Sequence, residues 1–107
     1  MGKVTTAKVM QELKKLKKGL SKRYHIKQFL LFGSRAKGEE LLTSDVDVIV
    51  VSDDFESIPF RKRPDDFLDA WKLPVDFEVL CYSSDELKRK KKEIGLVAET
   101  LKHGVEV

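Results

Sequence analysis

The stretch LFGSRAKGEELLTSDVDVIVV, Leu31 to Val51, decides how this chain reads. An apolar run ends at Gly33-Ser34, a basic turn carrying Arg35 and Lys37 follows, and a second apolar run begins at Val46. Two aspartates, Asp45 and Asp47, open that second run at a spacing of two. Side chains alternate along a strand, so both acids point to one face while Val46, Val48 and Val50 point to the other. Held close and unpaired, such charges repel and cost free energy. Read alone, the D-x-D pattern also suits any strand with one wet face.

The turn before the acids shifts the balance. Glycine lets a ligand approach the main chain. Successive N–H groups at such a turn, opening a helix, form an anion-binding concavity. Ser34 adds a hydroxyl donor, and Arg35 and Lys37 add positive charge. A phosphate cradle beside a carboxylate pair suits a divalent cation with oxygen ligands and a phosphate-ester substrate. Further along, VDFEVLCY (Val75 to Tyr82) repeats the alternation, with Val75, Phe77 and Val79 on one face and Asp76 and Glu78 on the other. Two such strands side by side would gather three or four carboxylates.

Outward from this centre, Val9, Leu13, Leu16 and Leu20 recur at helical spacing, with Thr5 or Thr6 as cap and Gly19 and Ser21 marking the end. YHIKQFLLF reads as a first strand. Prolines 59, 64 and 74 break the polar segment after Val51, leaving a short helix between Pro64 and Lys72 with Phe67, Leu68 and Trp71 facing inward. Ser83 or Ser84 starts a last long helix, with Leu87, Ile94, Val97, Ala98 and Leu101 inside, and VEV closes as a short strand. The pattern predicts an α/β (α+β) fold, one mixed β-sheet of three to four strands flanked by helices. Residues 1–107 read as a single domain.

Composition sets further bounds. Charged residues make up 36% of the chain and the hydrophobic set 41%, with a net charge of +3. No apolar run exceeds four residues, far short of a transmembrane helix. The opening residues have no signal-peptide pattern. One cysteine, Cys81, excludes an internal disulfide, fits a reducing cytoplasmic location and reads as core. Residues 1–27 hold nine Lys/Arg against a single Glu. This is either a solvated helix face or a polyanion-binding arm; the solvated face is preferred and nucleic acid is the lesser reading. His25 and His103 read as structure, and Trp71 and the phenylalanines as core.

The motif G-S, a few residues, G, then D-x-D in an apolar strand resembles the signature of the DNA polymerase β-type nucleotidyltransferase superfamily. The chain length and the context of PVDFEVL resemble its smallest branch, the minimal nucleotidyltransferases. The resemblance implies a palm-like fold in which Gly33 and Ser34, with Arg35 and Lys37, bind nucleotide phosphates. It further implies that Asp45, Asp47 and Asp76 hold two Mg²⁺ ions, with Asp76 activating the attacking hydroxyl; Glu78 shares its face and competes for that role. The implied activity moves a nucleoside monophosphate, AMP from ATP or its equivalent from another NTP, to an acceptor hydroxyl. Minimal members pair with a small helical protein in toxin–antitoxin modules, so a partner tyrosine is the implied acceptor. The alternative is a non-catalytic scaffold that keeps the fold and neutralises the partner.

Overall fold

The computed structural model describes residues 5–32, 45–93 and 104–107, except the Glu93 side chain. Helix α1 (Thr6–Leu20) starts where the Thr5 hydroxyl accepts the Lys8 N–H at 3.2 Å. It ends where the Ser21 hydroxyl donates to the Lys17 carbonyl at 2.6 Å. Lys17 and Lys18 in its last turn complement the helix dipole. Val9, Leu13 and Leu16 are buried as their spacing predicts, and Leu20 is partly buried.

Strand β1 (Gln28–Phe32) is shorter than the predicted run. Tyr24 leaves the strand because its hydroxyl donates to Asp66 at 2.6 Å and its ring joins Phe55 and Phe67. Strand β2 (Val46–Val51) is followed by two short 3₁₀ turns, Asp53–Ser57 and Phe60–Lys62. Helix α2 (Asp65–Ala70) carries Phe67, which is fully buried. The expectation for Leu68 fails: it is 43% exposed, because a six-residue helix turns one side chain, Phe67, fully inward. Strand β3 (Phe77–Tyr82) begins two residues later than predicted, where the Val75 carbonyl is taken by the Trp71 indole N–H at 3.0 Å. Helix α3 (Ser84–Glu93) and strand β4 (Val105–Glu106) complete the described elements. The expected inner residues Ile94, Val97, Ala98 and Leu101, and His103, lie outside the described residues.

The sheet order is β3-β2-β1-β4, with β2 parallel to β3 and β1 antiparallel to both its neighbours. Phe29, Leu31, Val46, Val48, Val50, Phe77, Val79 and Cys81 form the sheet's side of the main core. α1, α2 and the first 3₁₀ turn cover it, and the Phe29, Phe55 and Phe67 rings interlock at centroid distances of 6.3 Å. Trp71 stacks on Phe77 at 4.1 Å. The opposite face has a smaller cluster, Ile49, Val51, Tyr82 and Leu87, under the start of α3. The rest of that face, towards the start of β2, carries the acids.

Arg63 ties these layers together, and nothing in the sequence singles it out. Its guanidinium is almost fully buried and donates to the carbonyls of Ile58 at 2.8 Å and Cys81 at 3.2 Å. It also grips both Glu86 oxygens, at 2.6 and 3.1 Å. Glu86 closes a capping box as well: it accepts the Ser83 N–H at 2.8 Å while its own N–H donates to the Ser83 hydroxyl at 3.2 Å. Arg63, and secondarily the Ser83 N–H, hold the Glu86 carboxyl at about 2, below its ordinary 4.5.

A depressed carboxyl pKa stabilises the fold above the unfolded value and loses that contribution as pH falls. The Arg63–Glu86 pair therefore stabilises fully above about pH 4.5 and fails between there and about pH 2. Urea midpoints measured across this window should fall for the wild type, with the Glu86→Gln variant losing on the order of 2 kcal/mol at neutral pH and showing a flatter acid limb. Phe67→Ala should cost about 3–5 kcal/mol in the same measurement.

Candidate functional site

The register of β2 sets the site. Asp47 lies opposite Phe32 of β1 on one side and opposite Glu78 of β3 on the other. An aromatic flank and the neighbouring strands withdraw it from water, leaving it half-buried. Its pKa is pushed up from 3.8 to about 6, first by burial, then by the charge of Glu78 and a hydrogen bond shared with it, and last by Asp45. The charged neighbours that act on Asp47 are both acids, so the site is short of positive charge.

Asp45 is exposed, immediately before β2. Asp76 is exposed too, immediately before β3, and its carbonyl accepts the Val46 N–H at 2.8 Å. That bond brings the two strand openings together one step before the Val46–Phe77 pair. The structure thus places Asp45 and Asp76 at the mouths of adjacent parallel strands, and Asp47 and Glu78 one step inside. The acids acting on Asp47 are Glu78 and Asp45. Among the described residues, no group of three or more His, Cys, Asp or Glu side chains is arranged to hold a metal ion. The predicted phosphate-binding residues Gly33, Ser34, Arg35 and Lys37 lie outside the described residues, although Gly33 directly follows the last residue of β1.

The donor set is nevertheless of the right kind for Mg²⁺. It consists of hard carboxylate oxygens, and Mg²⁺ is usually held by one or two of these plus substrate phosphates and water. Asp47 and Glu78 are the carboxylates whose mutual repulsion a divalent ion would relieve.

Cys81 and His25, also singled out in the sequence, are structural. Cys81 is buried, and burial pushes its thiol up to about 12, so it has no thiolate character near neutral pH. His25 is an exposed side chain whose backbone N–H donates to Asp54 at 2.7 Å. No helix among the described residues is long and apolar enough to cross a membrane.

The acids at the openings of β2 and β3 are the chemistry of the described part of the site, and comparison with known proteins gives the family. Residues 13–106 match the nucleotidyltransferase domain family, and the chain belongs to it. Three proteins of Methanocaldococcus jannaschii, each named as a candidate protein adenylyltransferase, are similar in sequence. Identities are 41% over 46 residues, 36% over 58 and 40% over 50, covering 43%, 54% and 47% of this chain. The matched stretches span 54%, 57% and 50% of those proteins, about half their length. A crystal structure from Sulfolobus solfataricus, named as a candidate nucleotidyltransferase, superposes with a TM-score of 0.67 at 17% identity. It covers 94% of this chain and 80% of the other, and it establishes the shared fold.

Because its folded pKa is raised, Asp47 lowers stability above its unfolded value of 3.8, most fully beyond about pH 6. In metal-free protein at neutral pH, Asp47→Asn should raise the unfolding free energy by roughly 1 kcal/mol, once solvent screening of a half-exposed group is allowed for. Urea unfolding in EDTA reads this directly, and a destabilised variant would show that Asp47 supports the fold.

Proposed function

We propose that the chain is a Mg²⁺-dependent nucleotidyltransferase that moves AMP from ATP to a hydroxyl on a partner protein. The observation that carries this reading is the half-buried Asp47 coupled to Glu78 at adjoining parallel strands. Membership of the nucleotidyltransferase family and the names of the archaeal relatives support it.

In this reading Gly33 and Ser34 hold the nucleotide phosphates, while Arg35 and Lys37 neutralise the departing pyrophosphate. Asp45, Asp47 and Asp76 are the residues that would hold two Mg²⁺ ions, with Glu78 beside Asp47. When bound, the ions would supply charge neutralisation at the α-phosphate and between the carboxylates. Asp76 orients the acceptor hydroxyl and takes its proton. The new oxygen–phosphorus bond forms as the bond between the α- and β-phosphates breaks, so pyrophosphate leaves on the side opposite the acceptor. The protein's contribution is position and electrostatics. A tyrosine of a small helical partner is the proposed acceptor, which makes this chain the antitoxin of a toxin–antitoxin pair.

The test is transfer of label from α-labelled ATP in the presence of Mg²⁺ and the co-expressed neighbouring gene product. Wild type should label the partner, and Asp45→Asn or Asp47→Asn should lower the rate by about a hundredfold or more. Equal labelling by the Asp45→Asn/Asp47→Asn double variant would overturn the assignment. Asp76→Asn and Glu78→Gln, assayed in parallel, decide which acid handles the acceptor proton: the larger loss in kcat identifies it.

A further inference from the structure

One cleft of about 480 Å³ lies beside the carboxylates and has no part in the site described above. Phe60, Leu80, Tyr82, Glu86, Arg89 and Lys90 line it. Glu78, Leu80 and Tyr82 occupy one face of β3, each about 7 Å from the last. The cleft therefore begins one side-chain step beyond Glu78. Its floor is apolar where the fold has no need of it: Phe60 is 50% exposed and Leu80 38% exposed. Leu80 is an apolar residue at the outward parity of an edge strand whose other outward residue near the mouth is Glu78.

The cleft also lies on the side where the transfer reading needs an acceptor. Strand β1, whose last residue Phe32 precedes Gly33-Ser34 in sequence, flanks β2 on one side, and β3 flanks it on the other. In-line displacement places leaving group and acceptor on opposite sides of the α-phosphate. With pyrophosphate over the end of β1, the acceptor approaches across β3.

We infer that this cleft is the acceptor-docking surface, and that it takes a protein segment presenting an aromatic or aliphatic side chain among acidic residues. The inference rests on the transfer reading for its direction and on the cleft for its chemistry. The rim is strongly basic. Residues 88–92 are five consecutive cations, and Arg89 and Lys90 reach the cleft itself. Glu86, the acid in the lining, is already engaged by Arg63 and leaves that charge unanswered.

A peptide suits the site better than a nucleic acid. Stacking of bases needs an open ring face, but the Phe60 ring lies against the Arg63 guanidinium at 5.5 Å and tilts onto Tyr82 at 5.6 Å. Phe60 and Leu80 stay partly exposed in the cleft, an apolar concavity that suits insertion of a side chain.

The test uses the full chain and a fluorescein-labelled synthetic peptide with one tyrosine set between leucines and glutamates, read by anisotropy. A lysine-for-glutamate version of the peptide and a single-stranded oligonucleotide serve as comparisons. The acidic peptide should bind more tightly than the lysine version, and more weakly as salt rises. Phe60→Ala and Arg89→Glu/Lys90→Glu should each weaken it roughly tenfold. Unchanged circular dichroism would show that these variants fold.

In transfer assays the same variants should raise KM for the acceptor and leave KM for ATP as it was. Peptide binding without transfer would sink the catalytic reading and leave the cleft assignment standing. Transfer whose acceptor KM ignores all three substitutions would sink the cleft assignment alone. Preferential oligonucleotide binding lost in Phe60→Ala would overturn the choice of a protein segment.

Discussion

Everything at the proposed site depends on the register of β2 between its two neighbours. Val46, Val48 and Val50 are buried against α1 and α2, which fixes the strand against slipping by one residue. A slip would turn the acids into the core and the valines into water. Held in register, the strand sets Asp47 between Phe32 and Glu78. The apolar side of the sheet thus creates the unfavourable electrostatics of the other side. Burial supplies the largest part of the Asp47 shift, and the adjacent acids the remainder. An exposed hairpin could carry the same D-x-D sequence without perturbing either carboxyl.

Much of this was legible in the sequence because it rests on short-range periodicity. The α1 face, the alternation of β2 and β3, and the core role of Phe67 all follow from spacing. Leu68 misled because a helix of six residues is too short for spacing alone to settle which neighbours face the core. Tyr24 misled because its environment is made by residues far along the chain: Asp66 is 42 positions away. Glu78 was visible as a candidate by parity. Its pairing with Asp47 required knowing that β3 runs parallel to β2 and where the two strands meet.

Arg63 was illegible for a similar reason. In sequence it is one cation in a basic, proline-flanked stretch. In the fold it reaches the end of β3, the first 3₁₀ turn and the capping box of α3 at once. Burial of a guanidinium is unfavourable unless its donors are satisfied, and here the carbonyls of Ile58 and Cys81 share it with Glu86. The node couples Phe60 to α3, so the apolar floor and the basic rim of the cleft hold a fixed relation to the carboxylates.

The sheet's far edge is built quite differently. β4 contributes only two residues, pairing Val105 with Leu31 and Glu106 with Leu30, supplemented by the Val107 N–H to the Phe29 carbonyl at 2.9 Å. Even with the Lys17 ammonium donating to the Val107 carbonyl at 2.8 Å, these bonds are few, and few bonds make a low barrier to local opening. The amides of β1 that face β4 should exchange with solvent well before those that face β2. When β4 lifts away, β1 presents an unpaired apolar edge, the kind of surface through which strands of separate molecules join. Self-association of this protein on heating should therefore begin at β1, on the side remote from the acids.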